Sequence, residues 1–236
     1  MQGTGGGAGG LEGRGERTIV TLEDVARAVG VHYSTVSRAL DPAMAIQVNI
    51  VTRKRVQVIA KRMGYQKDMV ASGLKRGRTH TVAIVVADLG NPYIAPVLRG
   101  IANRLEVAGL MSLVGETQDD SARLKRILAH LLSRRVDAII LAAAHMGDRA
   151  ELRRFKRQGV PLVLVVRNVP GTGLPAFTND EVLGGSLAAR HLLELGHRRI
   201  AQLRGPPDVD SIIRRAEGFS AAVAAAGAMA AAGAVR

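Results

Sequence analysis

The stretch Thr21–Leu40, TLEDVARAVGVHYSTVSRAL, carries two short apolar stripes of helical period separated by one glycine. Leu22, Val25, Ala26 and Val29 recur at i, i+3, i+4 and i+7, the spacing that lines one face of an α-helix. Thr21 with Asp24 makes a capping-box-like start, and Gly30 ends the helix and allows a tight turn. Val31 tucks into that turn. Val36, Ala39 and Leu40 continue the buried side until Asp41-Pro42 closes the second helix. A third helix is predicted from the N-cap Asn49, with Val56, Ile59, Ala60 and Met63 buried and Gly64 as C-cap. Three short helices with a tight turn between the first two make a helix-turn-helix unit.

The outward side of the second helix carries Tyr33, Ser34, Ser37 and Arg38, with Thr35 at its margin, where a solvated face would carry Glu and Lys. A helix entering the major groove of DNA needs donors and acceptors of modest size there. Arg can bond guanine bidentately, while Ser, Thr and Tyr reach base edges or phosphate oxygens. Ser37 also has a local reading, a bond back to a backbone carbonyl. The competing reading of the unit is a three-helix packing module whose polar face stays wet. Charge favours DNA: residues 21–80 hold 11 Lys and Arg against four Asp and Glu, and residues 81–236 hold 20 against 14. The whole chain of 236 residues carries a formal charge of +13, which points to an anionic partner, and no helix pairs a basic face with the aromatics a membrane surface would need.

Residues 1–17 read as a disordered Gly-rich tail, residues 18–65 as the DNA-binding domain and residues 66–80 as a basic hinge. The tail's GTGGGAGG resembles a dinucleotide fingerprint, but no strand precedes it and no helix follows. Residues 81–236 alternate strand and helix. TVAIVVAD, MSLVGET, AIILAAA, PLVLVVR, AFTND and RIAQLRG read as strands, and Tyr93–Ala108, Ser121–Ser133, Arg149–Gln158 and Glu181–Leu195 as helices. Near-continuous apolar strands with helical crossovers predict a parallel α/β body. With no cysteine, the chain excludes disulfides, thiolate metal sites and a cysteine nucleophile. No nucleophile elbow, phosphate-binding loop or metal-spaced histidine cluster occurs, so no catalytic residue, cofactor or metal is expected. The start lacks an apolar signal region and no apolar run spans a membrane, so a cytoplasmic protein is expected.

TLEDVARAVGVHYSTVSRAL followed by VTRKRVQVIAKRMGYQKDMVASGLKRGRT resembles the LacI/GalR (lactose/galactose-repressor) family of bacterial transcription regulators. The likeness continues through VAIVVADLGNPYIAPVLRGI, RVDAIIL, GVPLVLVVR and LGGSLAARHLLELGHRRIAQLRGP to RRAEGF, covering about residues 20–227. It implies a homodimer that binds double-stranded, near-palindromic operator DNA, gated by a small effector such as a sugar or purine, on a periplasmic-binding-protein-like body. Residue by residue, Tyr33, Ser34 and Arg38 match base-reading positions, and Thr35 and Ser37 match positions around the phosphates. Leu74 matches the hinge leucine that wedges into the minor groove. Thr21, Lys54 and Arg55 complete the DNA-binding candidates, with Lys75, Arg76 and Arg78 supplying further backbone charge. Two departures stand out near the DNA. His32 replaces the usual Ser or Thr at an N-cap, which predicts a weakened cap, and Gly73 weakens the hinge helix.

In open parallel sheets, ligands lie beyond the carboxyl ends of the strands. Those ends carry Asp88, Gln118-Asp119, His145, Arg167 and Asn179-Asp180. The family likeness narrows the effector candidates to Asn91, Tyr93, Arg167, Asp180 and Arg215. Val166 stands where many relatives have an Asp that pairs with ligand hydroxyls, which puts the usual sugar specificity in doubt. The second lobe is expected to be incomplete. Only AFTND and RIAQLRG are assigned to it as strands, the Ala-rich tail is read as a frayed helix that supplies none, and a weak or absent effector response follows. The alternative to a gated regulator is a remnant, or a solute-binding-like protein without DNA gating.

Overall fold

A computed structural model of the chain describes residues 20–41, 44–66 and 78–234. The chain divides into two compact units, Met1–Ser72 and Gly73–Arg236.

The first unit holds α1 (Leu22–Val29), α2 (Tyr33–Ala39), a 3-10 turn at Ala45–Gln47 and α3 (Ile50–Arg62). Its core is the predicted one: Val25, Ala26, Val29, Val36, Ala39, Val56 and Ala60 are buried together, and Leu22, Val31, Leu40, Ile59 and Met63 pack around them. Thr21 Oγ1 accepts the Asp24 N–H at 3.2 Å while Asp24 Oδ2 accepts the Thr21 N–H at 2.9 Å, closing the capping box. Gly30 sits at φ 74°, a left-handed conformation natural for glycine. The weakened cap expected at His32 is instead made by the ring. Its Nδ1 accepts the Ser34 N–H at 3.3 Å and lies 2.8 Å from Ser34 Oγ.

The second unit opens with β1 (Thr81–Val86), α4 (Ile94–Val107), β2 (Met111–Glu116), α5 (Ser121–Ser133) and β3 (Ala138–Ala142). A 3-10 turn at Met146–Asp148, α6 (Arg149–Lys156), β4 (Leu162–Val165) and the two-residue β5 (Ala176–Phe177) follow. These strands form one parallel sheet in the order β2-β1-β3-β4-β5. The two-residue alternation of a strand splits its core. Ala83 and Val85 join Leu124, Leu128 and Leu131 of α5 and Leu152 and Phe155 of α6 on one face, while Ile84 and Val86 join Ile94, Leu98 and Ile101 of α4 on the other. The order reverses at β1, the kind of position where such sheets open a ligand crevice.

The last part holds α7 (Glu181–Glu194), β6 (Arg199–Arg204), α8 (Asp210–Ala225) and β7 (Met229–Ala234). Two expectations are corrected. AFTND contributes β5 to the edge of the first sheet rather than to the second lobe, pairing Leu164 with Ala176 and Val165 with Phe177. The Ala-rich tail does supply a strand: β7 runs parallel to β6 across six residue pairs, Arg199–Met229 to Arg204–Ala234. Alanine carries little helix-breaking or strand-making signal of its own, so an available sheet edge decides. Of the residues read as hinge, 67–77 lie outside the described residues. Thr79 and His80 donate their backbone N–H groups to the Asp137 carboxylate at 2.7 and 2.9 Å, which fastens them to the α/β unit.

Candidate functional site

Two sets of side chains stand out, one in each unit. In the first, burying Val36 and Ala39 turns the opposite face of α2 outward. Tyr33 is 45% exposed, Ser37 and Arg38 are exposed, and Ser34 and Thr35 are half-buried. Thr21 is committed to its capping box, and its hydroxyl and N–H hold the Asp24 carboxyl below the usual carboxylate range, with Arg27 adding a smaller pull. Lys54 is exposed on α3. Arg55 is engaged inside the unit, donating from Nη2 to the Val29 carbonyl at 2.7 Å, where a cation suits the carboxyl end of α1. Leu74, with Gly73, Lys75 and Arg76, lies outside the described residues.

In the second unit a cavity of about 490 Å³ opens at the carboxyl ends of β1, β3 and β4 and is closed from the far side by α7 and α8. Asp88, Asn91, Tyr93, Asp119, Val166 and Arg167 line it from the first sheet, and Asn179, Glu181, Ser211 and Arg215 from the other side. Four of the five predicted residues therefore meet. Asp180 does not line the cavity; its Oδ1 accepts the Leu183 N–H at 3.0 Å as the N-cap of α7. A second cavity of about 480 Å³, between β6, β7 and α8, is lined by Ile212, Ile213 and Ala216 among others and holds none of the predicted residues.

The polar groups of the first cavity are paired across the fold. Asn91 Oδ1 accepts the Tyr93 N–H at 3.0 Å, and Tyr93 Oη accepts from Asn179 Nδ2 at 2.9 Å. Arg167 Nη1 lies 2.6 Å from Asp119 Oδ1. Burial pushes the Asp119 carboxyl up, but the bonds and charges of Arg167 and then His145 outweigh it and hold the group below its ordinary value. Arg215 grips Glu181 Oε2 through Nε at 2.8 Å and Nη2 at 2.5 Å, and Glu181 is only 5% exposed. Sequence reasoning missed Glu181, which reads as an ordinary acidic first-turn residue of a helix, and Asp208, which sits in an unpatterned loop. Among the described residues no group of three or more His, Cys, Asp or Glu has an arrangement that could hold a metal ion.

Arg167 is aimed by a strained turn. Val166 sits at φ 66°, and the Arg167 N–H donates to the Val165 carbonyl at 2.6 Å, closing a γ-turn around a β-branched residue. Such a residue in the left-handed region costs about 1–3 kcal/mol. Val166→Asn, which tolerates that region, is expected to raise the unfolding free energy of the α/β unit by about 1 kcal/mol in urea titration. Unchanged or lowered stability would show that the strain is relieved elsewhere.

Two family profiles match the chain. The one described as "Bacterial regulatory proteins, lacI family" covers residues 21–68, and the one described as "Periplasmic binding proteins and sugar binding domain of LacI family" covers residues 79–232. The chain is 30% identical over 211 residues to the ribose operon repressor of Escherichia coli (strain K12), a match spanning 89% of this chain and 63% of that protein. It spans, then, somewhat under two thirds of the length of the curated relatives it matches. Its fold superposes on a crystal structure of the Lac repressor dimer bound to operator and the anti-inducer ONPF, with a TM-score of 0.78, 24% identity, and 91% of this chain and 64% of that chain covered. A transcriptional regulator CelR–cellobiose complex matches with a TM-score of 0.57, 29% identity, and 91% and 66% covered.

Proposed function

This chain belongs to the LacI family of bacterial regulatory proteins, and from that premise we propose that it is a sequence-specific DNA-binding transcriptional regulator, most simply a repressor, gated by a small neutral effector. The observation that carries the reading is the outward face of α2. Tyr33, Ser37 and Arg38 stand in solvent while the same helix buries Val36 and Ala39. A packing module has no need of a guanidinium and hydroxyls on an outward helix face, whereas major-groove readout needs those groups. Tyr33, Ser34 and Arg38 read bases in this proposal. Thr35, Ser37, Lys54 and Arg78 serve the phosphates, Thr21 sets the start of α1 through its capping box, Arg55 sets the α1–α3 geometry as well as charge, and Leu74 is the hinge wedge.

The cavity supports the effector side. Its two arginines already face carboxylates, and Asp88 adds a further acceptor, so the site offers paired donors and acceptors with no surplus positive charge. That balance suits a hydroxyl-rich neutral ring better than a phosphorylated one, with Asn91, Tyr93, Arg167 and Arg215 as contacts and Asp180 acting through the cap of α7. The relatives' names, a ribose operon repressor and a regulator bound to cellobiose, agree with a sugar. Homodimerisation is part of the proposal. Val107 at the end of α4 and Met111, Leu113 and Val114 on the edge strand β2 are exposed apolar residues, and an open sheet edge favours association. No catalytic role is assigned, and a cytoplasmic location follows from a DNA partner. Among the described residues no helix is long and apolar enough to cross a membrane.

Selection of bound sequences from random duplex DNA tests the reading, with a two-fold symmetric consensus expected. Arg38→Ala is expected to relax preference at one base pair per half-site and to cost about 1–3 kcal/mol of specific affinity. An unaltered consensus for Arg38→Ala would remove Arg38 from base readout, and enrichment of no sequence by the unmodified chain would remove the regulator assignment.

A further inference from the structure

His145 belongs to neither the effector candidates nor the lining of the cavity, yet it stands between the cavity and the second lobe. Its side chain is 9% exposed and both ring nitrogens face carboxylates. Nε2 lies 2.9 Å from Asp119 Oδ1, and Nδ1 lies 2.9 Å from Asp208 Oδ2. Asp119 belongs to the loop between β2 and α5, while Asp208 lies in the loop between β6 and α8, so the imidazole joins the two sheets. A backbone bond runs beside it, from the Met146 N–H to the Asp208 carbonyl at 2.8 Å. Arg167, whose Nη1 is 3.4 Å from Nε2, and Asp148, whose Oδ2 accepts the His145 backbone N–H at 2.8 Å, also face His145.

We infer that His145 is a positioning residue that ties lobe closure to the cavity: its ring bridges Asp208 of the second lobe to Asp119, the partner of Arg167. Each ring nitrogen faces one carboxylate oxygen at 2.9 Å, so a single side chain holds a loop of the second lobe against a loop of the first.

The same geometry couples the bridge to ligand. Asp119 Oδ1 receives both Arg167 Nη1 and His145 Nε2. A ligand hydroxyl that draws Arg167 away leaves that oxygen to His145 alone, and a ligand that competes for Asp119 weakens the bridge. Each outcome changes the energy difference between closed and open lobes, which is what coupling requires. This step rests on the effector reading only for its regulatory consequence; the bridge itself is tested without ligand or DNA.

The chain has no cysteine, so Lys125→Cys on α5 and Arg190→Cys on α7 place two spin labels, one per lobe, on exposed positions. Pulsed dipolar spectroscopy on the full chain, in buffer without ligand or DNA, reads the distance between them. His145→Gln and Asp208→Asn are each expected to lower the closed-to-open ratio about tenfold, as for the loss of one hydrogen bond to a charged group. Asp208→Asn leaves the Asp119–His145–Arg167 contacts in place and keeps the test sharp if His145→Gln folds poorly. A distance distribution in either variant that matches that of the labelled parent would overturn the inference. Failure of the DNA selection would leave this result standing, and the reverse holds as well.

Discussion

Gly218→Ala is expected to lower the stability of the second lobe by about 3 kcal/mol, at the upper end of the usual cost of overpacking, and Gly185→Ala is expected to do the same. The two glycines are where α7 and α8 cross. A Cβ on Gly218 would be driven into the backbone of Val182, whose Cα it would approach to 2.9 Å, with the Val182 carbonyl closer still. A Cβ on Gly185 would collide with the Arg215 carbonyl and reach Phe219 N at 2.9 Å. The obstacle is main chain in both cases, so no rotamer change relieves it and the helices must separate. Helix propensity argues the other way, since alanine in a helix interior is better than glycine by about 1 kcal/mol. The collision decides the sign. Gly184→Ala is the internal control, because a Cβ there meets nothing within 4 Å, and it is expected to stabilise by up to about 1 kcal/mol. Urea unfolding of the three variants measures this. A neutral Gly218→Ala would mean that the crossing is looser than the structure shows.

The crossing matters for the cavity as well as for stability. Gly185 abuts the backbone of Arg215, and Val182, next to Glu181, abuts Gly218. The same close approach that needs two glycines thus brings Glu181 and Arg215 within bonding distance. None of this is visible in LGGSLAAR and RRAEGF read as patterns, because a helical glycine in sequence signals only a poor helix former. What a sequence shows well is periodicity and capping. The stripe Leu22-Val25-Ala26-Val29, the cap Asn49 and the run Ser121–Ser133 each rest on local chemistry, and each element appears where the residues put it. The cap at His32 lies between these cases. Ser or Thr would have announced it, whereas a ring nitrogen does the same work only in one orientation. What depends on distant partners was legible only in part. The short β5 joins the first sheet through two pairs, and β7 is a strand because β6 offers an edge. Of the cavity, Asn91, Tyr93, Arg167 and Arg215 could be anticipated from strand ends and family likeness. Asp180 and Glu181 could not be told apart, since neighbouring positions at a helix start differ only in which way the chain enters the helix.

Arg215→Ala is expected to cost about 3 kcal/mol of folding stability, while Glu181→Gln, which breaks the same pair, is expected to cost about 1 kcal/mol or less. The asymmetry lies in exposure. The Glu181 side chain is 7% exposed and the Arg215 side chain 50%. Removing the arginine leaves a buried carboxylate with no counter-charge, whereas removing the carboxylate's charge leaves a guanidinium that water can reach. The lower end of the range for a broken buried pair applies because half of Arg215 is already solvated. Neighbours cannot substitute. Asp210 has its carboxyl pushed above the ordinary value, first by burial, with Glu217 and Glu181 adding to the rise and Arg214 opposing it, so the field around Glu181 is already negative. Glu181→Gln combined with Arg215→Ala should recover much of the single Arg215→Ala loss, because the stranded charge is gone. Equilibrium unfolding of the two single variants and the double variant closes the cycle. Equal costs for the two single substitutions would show that the pair is hydrated from both sides. The same set separates stability from function: if Arg215 contacts the effector, Glu181→Gln keeps that contact on a folded lobe, and the double variant loses it at nearly the same stability.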